Sequence, residues 1–191
     1  MMSKSNSRLP VNLSIPAWIL NDIPKISEIT PFLFLTSAVG LRSPNIRSLG
    51  ITMSVNVSLE VMFPNNSDFN SITKVRVPVS DLSWTKLDIY FDDVIEKMDH
   101  EIKNNGKVLV NCAMGSSRSS TIVLGYLMKK MKIPLRQAYH HTKRQRPCIC
   151  PNVGFWKQLI SYEKKIFGKN TVKMIYSGGF APMPDVDFTK I

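Results

Sequence analysis

The sequence lacks any apolar run long enough to cross a membrane, although 43% of its residues are hydrophobic. The stretch FLFLTSAVGL at residues 32–41 is short and interrupted by polar residues, so it predicts a buried strand followed by a turn. Charged residues make up 20%, which is typical of a folded soluble protein rather than a disordered one. With 191 residues and no internal repeat, the chain predicts one compact domain with tails.

Cysteines are also few, and only Cys112, Cys148 and Cys150 are present. Their odd number, and the lack of both a disulfide spacing and a secretory signal, argue against a disulfide-stapled secreted domain. The pattern predicts a reducing compartment, the cytoplasm or the nucleus, where a free thiol persists.

Acidic residues are missing from the first 21 residues, which carry Lys4 and Arg8 among several serines. This composition is similar to that of a mitochondrial transit peptide, but Pro10 and Pro16 interrupt any amphipathic helix there. We therefore predict a flexible leader over residues 1–24, with mitochondrial targeting as the alternative.

The whole chain is short of acid as well, with 14 acidic residues against 25 lysines and arginines and a net charge of +11. This excess favours anionic partners such as phosphate esters, nucleic acid or acidic membrane surfaces, unless it is only a basic solubility surface. Because the lysines are scattered and no aromatic-interleaved motif accompanies them, we expect no nucleic-acid partner.

Alternating strand and helix patterns predict the fold class. Runs of apolar and β-branched residues predict strands at residues 51–58, 74–81 and 107–111, and two short strands around a turn at Thr30-Pro31 within residues 26–36. Apolar residues at helical spacing predict helices at residues 43–50, 85–104, 118–130, 135–144 and 153–167. We expect an α/β fold, a single layered domain over residues 25–168 with a central, mostly parallel sheet flanked by helices. Residues 169–191 are predicted as a C-terminal tail that wraps the domain or frays.

The stretch VLVNCAMGSSRSS places Cys112 where the last predicted strand meets a helix. At such a junction, unpaired backbone N–H groups and the helix dipole favour an anion. Arg118 can bind two phosphate oxygens at once, and Ser119 can donate a hydrogen bond to the sulfur. The positive surroundings favour the thiolate of Cys112, a nucleophile. The predicted phosphate cradle between the cysteine and the arginine consists of Ala113, Met114, Gly115, Ser116 and Ser117.

This stretch has two other interpretations. The first is a strand-to-helix turn of small residues around an inert, buried cysteine, since free cysteines are among the most buried residues. The second is a nucleotide-binding P-loop, which is excluded because no GxxxxGK[ST] sequence occurs in this region.

These residues resemble the cysteine-dependent protein tyrosine phosphatases and, within them, the small atypical dual-specificity phosphatases. The family signature HCxxGxxRS appears as NCAMGSSRS at residues 111–119. The resemblance spans residues 26–167 and includes VNVS at 55–58, VPVSD at 77–81, GYLMK at 125–129 and RPCICPNVGFWKQLISYE at 146–163. It implies a phosphatase-like fold and metal-independent hydrolysis of phosphotyrosine and phosphoserine or phosphothreonine on proteins, through a cysteinyl phosphate and without a cofactor.

The resemblance also assigns the general acid to Asp81, which ends the VPVSD segment. Its structural alternative is a helix cap or loop aspartate, because SDLSW precedes a predicted helix. Asp88, Asp92 and Asp93 fall within that helical pattern and are expected on its solvent face.

Two asparagines are expected to support the loop. Asn111 occupies the position of the signature histidine, which in the family helps hold the loop, and Asn152 matches the asparagine of the family's PNxGF segment. A metal site is not expected, because the remaining candidates have no usual zinc spacing. Those candidates are His140, His141, Cys148 and Cys150.

Two alternatives to a protein phosphatase remain at this stage. The asparagine at position 111 motivates a pseudophosphatase that binds phosphorylated partners without turnover. The positive charge motivates a phosphatase of RNA 5′ ends or phosphoinositides, although residues 113–117 contain no lysine or arginine. Oligomeric state and physiological substrate do not follow from the sequence.

Overall fold

The computed structural model describes residues 21, 23–42, 45–176 and 182–188. Its centre is a five-stranded sheet. The strands are β1 Ser27–Thr30, β2 Leu33–Ser37, β3 Met53–Asn56, β4 Thr73–Arg76 and β5 Val108–Cys112. They lie in the order β1-β2-β5-β3-β4. The strand β1 pairs antiparallel with β2, and every other pairing in this sheet is parallel, which confirms the predicted fold class.

Helices cover both faces of the sheet, because β2 and β5 alternate apolar residues between the two faces. Leu33, Leu35, Val108 and Val110 pack into the larger core with the four longest helices. Phe34 and Leu109 point the other way, into a smaller core with two short helices. The short helices are α1 Asn45–Leu49 and α2 Ser67–Asn70, and the long ones are α3 Phe91–Lys103, α4 Arg118–Met131, α5 Leu135–Gln145 and α6 Val153–Phe167.

The central strand β5 delivers Cys112 to the carboxyl edge of the sheet. Cys112 pairs in register with Ser37 of β2, and Asn111 pairs with Asn56 of β3. Three parallel strands therefore end together, and the loops that follow them surround one site.

Several predicted boundaries were wrong in detail. The strand predicted to run to Asp81 ends at Arg76, because Pro78 has no N–H group to extend the pairing, and Asp81 therefore lies in a loop. The helix expected from residue 85 begins with a 3₁₀ turn at Asp88–Tyr90 and becomes α-helical at Phe91. The short helix α2 lies between two predicted strands, where no helix was predicted, and the side chain of Asn66 caps it by accepting a hydrogen bond from the Phe69 N–H.

The described part of the C-terminal tail packs on the domain. Val172 and Val186 are buried in the larger core. The strands β6 Met174–Ile175 and β7 Met183–Pro184 form a small antiparallel pair, followed by a 3₁₀ turn at Asp185–Phe188. Arg136 of α5 donates hydrogen bonds to the Thr171 carbonyl and to Asp185, so the tail is held by polar contacts as well as by burial.

Membrane-spanning length is not reached by any helix in the described ranges.

Candidate active site

The loop after β5 closes tightly around the sulfur of Cys112. The Gly115 N–H donates to Cys112 Sγ at 3.2 Å, and the Ser119 hydroxyl donates to the same sulfur at 3.1 Å. Both hydrogen bonds stabilise negative charge on the buried sulfur. Gly115 has a φ of +65°, and a Cβ atom there would lie 2.4 Å from the Thr36 carbonyl oxygen, so the turn needs glycine.

The two serines of the loop tie it to the segment before α6. The Ser116 hydroxyl donates to the Cys148 carbonyl at 2.6 Å, and the Cys150 N–H donates to the Ser116 carbonyl at 2.9 Å. The Ser117 hydroxyl accepts from the Asn152 N–H at 3.1 Å and donates to Asp81 Oδ1 at 2.7 Å. The cradle is thus held by the rest of the fold and not only by its own turn.

Asp81 lies at the mouth of this cradle. Its Oδ1 also accepts a hydrogen bond from Asn152 Nδ2 at 2.8 Å, while its Oδ2 lies 3.7 Å from Arg118 Nε. Asn152 caps α6 at the same time, because its Oδ1 accepts from the Phe155 N–H at 3.0 Å. The predicted support residue Asn152 therefore links the aspartate loop to the start of a rigid helix.

Arg118 is almost fully buried, and its five N–H donors can be accounted for one by one. Glu60 takes one donor from Nη2 at 2.6 Å and one from Nη1 at 2.8 Å, and the Val79 carbonyl takes the second Nη1 donor at 3.2 Å. The Nε–H and the second Nη2–H remain, and they lie on one side of the planar guanidinium. Nε has no hydrogen-bond partner among the described residues, so one two-pronged edge is open toward Asp81.

The ion pair between Arg118 and Glu60 fixes the charge of both groups. Hydrogen bonds from Arg118 lower the pKa of Glu60, with burial opposing them. Burial of Arg118 tends to lower the pKa of its guanidinium. The hydrogen bond to Glu60 and the nearby groups of Cys112 and Asp81 outweigh this effect, so the pKa is raised. The arginine is therefore a permanent cation, and the edge formed by its Nη1 and Nη2 atoms is already bound to Glu60.

Asn111 is buried beneath the loop. Its backbone carbonyl accepts a hydrogen bond from the Val57 N–H at 2.7 Å, which continues the sheet pairing. Its side-chain Nδ2 and Oδ1 have no hydrogen-bond partner among the described residues. The loop-support role expected from the side chain therefore stays a prediction, and the structure shows the backbone contact instead.

Sequence reasoning missed two charged residues of the site. Glu60, which anchors Arg118, follows the VNVS strand, and its signal was an acid within a short loop at the carboxyl edge of the sheet. Arg146 is completely buried, and its guanidinium donates to the carbonyls of Met114 and Gly115 from below the cradle. Its signal was an arginine at the start of the RPCICPN segment, which matches the family pattern.

The histidines lie away from this site. His141 contacts the Ile29 carbonyl through Nε2 at 2.7 Å, and the His140 ring packs edge-on against Tyr139. Within the described ranges, no three side chains of the ligand types His, Cys, Asp and Glu come close enough together to hold a metal ion.

Most of the chain is similar in sequence to known dual specificity phosphatases. Residues 33–165 match the family model "Dual specificity phosphatase, catalytic domain". The chain is 40% identical over 188 residues to human dual specificity protein phosphatase 14, a match covering 97% of this chain and 93% of that protein. It is 36% identical over 186 residues to human dual specificity protein phosphatase 18, covering 97% and 94%.

Solved structures agree with these sequence matches. The crystal structure of human DUSP28 superposes with a TM-score of 0.70 at 31% identity, covering 73% of this chain and 93% of that one. A mouse putative dual specificity phosphatase, crystallised with zinc tungstate, has a TM-score of 0.70 at 29% identity, covering 84% and 96%.

Proposed function

The chain belongs to the dual specificity phosphatase catalytic-domain family and is a metal-independent phosphatase of phosphotyrosine and phosphoserine or phosphothreonine in proteins; on this premise we propose a role for each residue of the cradle. Cys112 is the nucleophile, Asp81 is the general acid and base, and Arg118 binds the transferred phosphoryl group. Ser119 stabilises the sulfur when it leaves, and Ser117 and Asn152 position Asp81.

In the first step the thiolate of Cys112 attacks phosphorus. The S–P bond forms while the P–O bond to the substrate breaks, and the protonated carboxyl of Asp81 gives its proton to the leaving oxygen. In the second step the Asp81 carboxylate takes a proton from water, whose oxygen attacks phosphorus. The S–P bond breaks, inorganic phosphate forms, and the hydroxyl of Ser119 stabilises the returning thiolate.

The open edge of Arg118 is the observation that carries this proposal. Its Nε–H and remaining Nη2–H match two oxygens of a phosphoryl group, and the backbone N–H groups of residues 113–118 supply the other donors. Because Glu60 already anchors the far edge, the guanidinium needs little reorganisation when phosphate binds.

Turnover of p-nitrophenyl phosphate in the presence of a chelator tests the nucleophile. Cys112→Ser should abolish turnover, because a hydroxyl is a far poorer nucleophile at neutral pH, while the exposed Cys150 gives the matched control Cys150→Ser, which should stay active. Retained activity in Cys112→Ser, or activity only with added metal, would contradict the proposal.

The role of Asp81 has a separate test that depends on the leaving group. Asp81→Asn should slow release of a serine alkoxide more than release of p-nitrophenolate, because the poorer leaving group depends more on protonation. Equal losses on a phosphoserine peptide and on p-nitrophenyl phosphate would remove Asp81 from the proton-transfer step.

Phosphorylated proteins, rather than RNA ends or lipids, are the partners we propose, since residues 113–117 carry no basic side chain that would select a polyanion. We also propose the cytoplasm or the nucleus as the compartment, because a catalytic thiol must stay reduced. Imaging of the full chain carrying a C-terminal fluorescent tag tests this, and import into mitochondria would contradict it.

A further inference from the structure

A cavity opens beside the phosphate cradle. Its volume is about 450 Å³, and we call it the Arg42 cleft. Its walls are formed by Ala38, Arg42, Glu60, Val61, Met62 and Phe63, with Pro64 and Asn65 beyond them.

Two residues that line the Arg42 cleft contact the cradle directly. The Ala38 N–H donates to the Ala113 carbonyl at 3.0 Å, and Glu60 binds Arg118. The cleft therefore adjoins the cradle, within reach of the residues that flank the phosphorylated residue of a peptide. An extended chain advances about 3.3 Å per residue, so three residues span roughly 10 Å.

The charge of the cleft comes from Arg42. Glu60 is the one acidic residue among the described residues of the lining, and both of its carboxylate oxygens are engaged by Arg118. The Arg42 side chain is exposed and has no ion pair or hydrogen bond among the described residues. The lining of the cleft thus combines the unpaired guanidinium of Arg42 with the apolar side chains of Val61, Met62 and Phe63.

We propose that the Arg42 cleft selects an anionic side chain close in sequence to the phosphorylated residue of a protein substrate, with Arg42 as the specificity-determining contact. The anion is either a carboxylate or a second phosphate, since a planar guanidinium binds both in the same geometry. The apolar side chains of the lining contact the aliphatic part of the same segment. This inference rests on the proposed phosphatase activity and adds a sequence preference to it.

Phosphotyrosine peptides with one variable position test the preference. Glutamate, glutamine, lysine and a non-hydrolysable phosphonate analogue of phosphothreonine are placed in turn at each of the three positions on either side of the phosphotyrosine. We expect kcat/KM for glutamate to exceed that for glutamine by about threefold to tenfold at one or more positions, as for a partly exposed charge-assisted hydrogen bond. A phosphonate preferred well beyond glutamate identifies doubly phosphorylated substrates, and similar values identify acidic segments.

The variants then assign the preference to one residue. Arg42→Ala should remove it, and Arg42→Glu should reverse it in favour of lysine at the same position. Arg144 of α5 is a matched control, because it is an exposed arginine without an ion pair or hydrogen bond among the described residues and lies in no described wall of the cleft. Arg144→Ala and Arg144→Glu should keep the wild-type preference.

Turnover of p-nitrophenyl phosphate separates this inference from the activity on which it rests. All four variants should hydrolyse this small substrate at the wild-type rate, because it does not reach the cleft. No turnover by the wild type would overturn the phosphatase mechanism. Normal turnover with equal use of glutamate and glutamine at all six positions, or a preference that survives in Arg42→Ala, would overturn the role of the Arg42 cleft alone.

Discussion

Two buried arginines meet the same loop from opposite sides, and they differ in how completely their donors are used. Below the loop, every donor group of Arg146 is engaged: Nε bonds Gly115, Nη2 bonds Met114 and Ile23, and Nη1 bonds Lys25 and Ser27. At the mouth, Arg118 has two donors left over on one edge.

The difference separates a structural cation from a functional one. A saturated guanidinium has nothing to offer a ligand, so Arg146 serves to hold loop carbonyls that would otherwise be buried without partners. An anchored guanidinium with an open edge is prepared for a planar anion, so Arg118 is suited to phosphate. Burial alone does not distinguish the two, because both side chains are almost fully buried.

The largest effect on catalysis is expected from substitution of Arg118, at the mouth of the phosphate cradle. Arg118→Lys keeps the charge but loses the two-pronged edge, and we expect kcat/KM on p-nitrophenyl phosphate to fall about a thousandfold. The thermal midpoint, measured in parallel, should change much less than the rate. A lysine variant that kept most of its kcat would refute the role of the open edge.

Substitution of Arg146, below the loop, should instead reduce the stability of the fold. Arg146→Met leaves several buried carbonyls without donors and should lower the free energy of unfolding in urea by about 3 kcal/mol. The exposed Arg144 is again the control, and Arg144→Met should change the same quantity by about 0.5 kcal/mol or less. If Arg146→Met unfolds at the wild-type urea concentration, the saturated network is not what stabilises the loop.

Glu60 should show an intermediate effect, because it acts through Arg118. Glu60→Gln keeps the shape of the side chain but not its charge, so Arg118 is held less firmly and kcat/KM should fall about tenfold. The fall should lie in kcat rather than KM if Glu60 positions the arginine for the transition state. An unchanged kcat would mean that Val79 alone orients the guanidinium.

The same variant has a pH signature. The folded-state pKa of Glu60 is lowered, so its stabilising effect is present above the ordinary value of 4.5 and is lost as the pH falls through the lower folded-state value. When the pH is lowered from 6 to below 4.5, the thermal unfolding midpoint should therefore decrease more in the wild type than in Glu60→Gln. Parallel losses in both proteins would show that the ion pair adds no stability.

The smallest effect on stability is expected at Asn111. Its side-chain amide is buried and has no hydrogen-bond partner among the described residues. Asn111→Leu replaces unpartnered buried polar atoms with an apolar side chain of similar shape, and should stabilise the fold by about 1 kcal/mol in urea. A destabilised leucine variant would show that the amide has a polar partner in solution.

The sequence was sufficient for the parts of the site that lie in one segment. Cys112, Arg118 and Ser119 follow one another around a strand end, and their mutual geometry follows from the strand, the glycine turn and the helix start. The fold class was also predictable, since hydrophobic patterning along β2, β5 and α3 to α6 reports directly on burial.

Contacts between distant segments were not predictable in this way. Glu60 meets Arg118, and Arg146 meets Met114 and Gly115, only after the sheet has aligned its strand ends. Composition and periodicity do not say which charged residue of a loop will be buried or with what partner. Asp81 illustrates the intermediate case, because its segment was identified but its position in a loop rather than on a strand was not.

Glu163 shows that the packed domain extends beyond the segment that matches the family model. This fully buried carboxylate of α6 accepts hydrogen bonds from the Leu135 N–H at 2.8 Å and from the N–H and hydroxyl of Thr171 at 2.8 and 2.6 Å. The family match ends at residue 165, so a chain trimmed there would lose two of the three donors and leave the carboxylate buried. At the other end the match begins at residue 33, after the carbonyls of Ile23 and Lys25 that Arg146 requires. An expression fragment that kept only residues 33–165 would retain the catalytic loop and its bonds to Arg146, but would lose the Ile23 and Lys25 acceptors of that arginine and the Thr171 donors to Glu163.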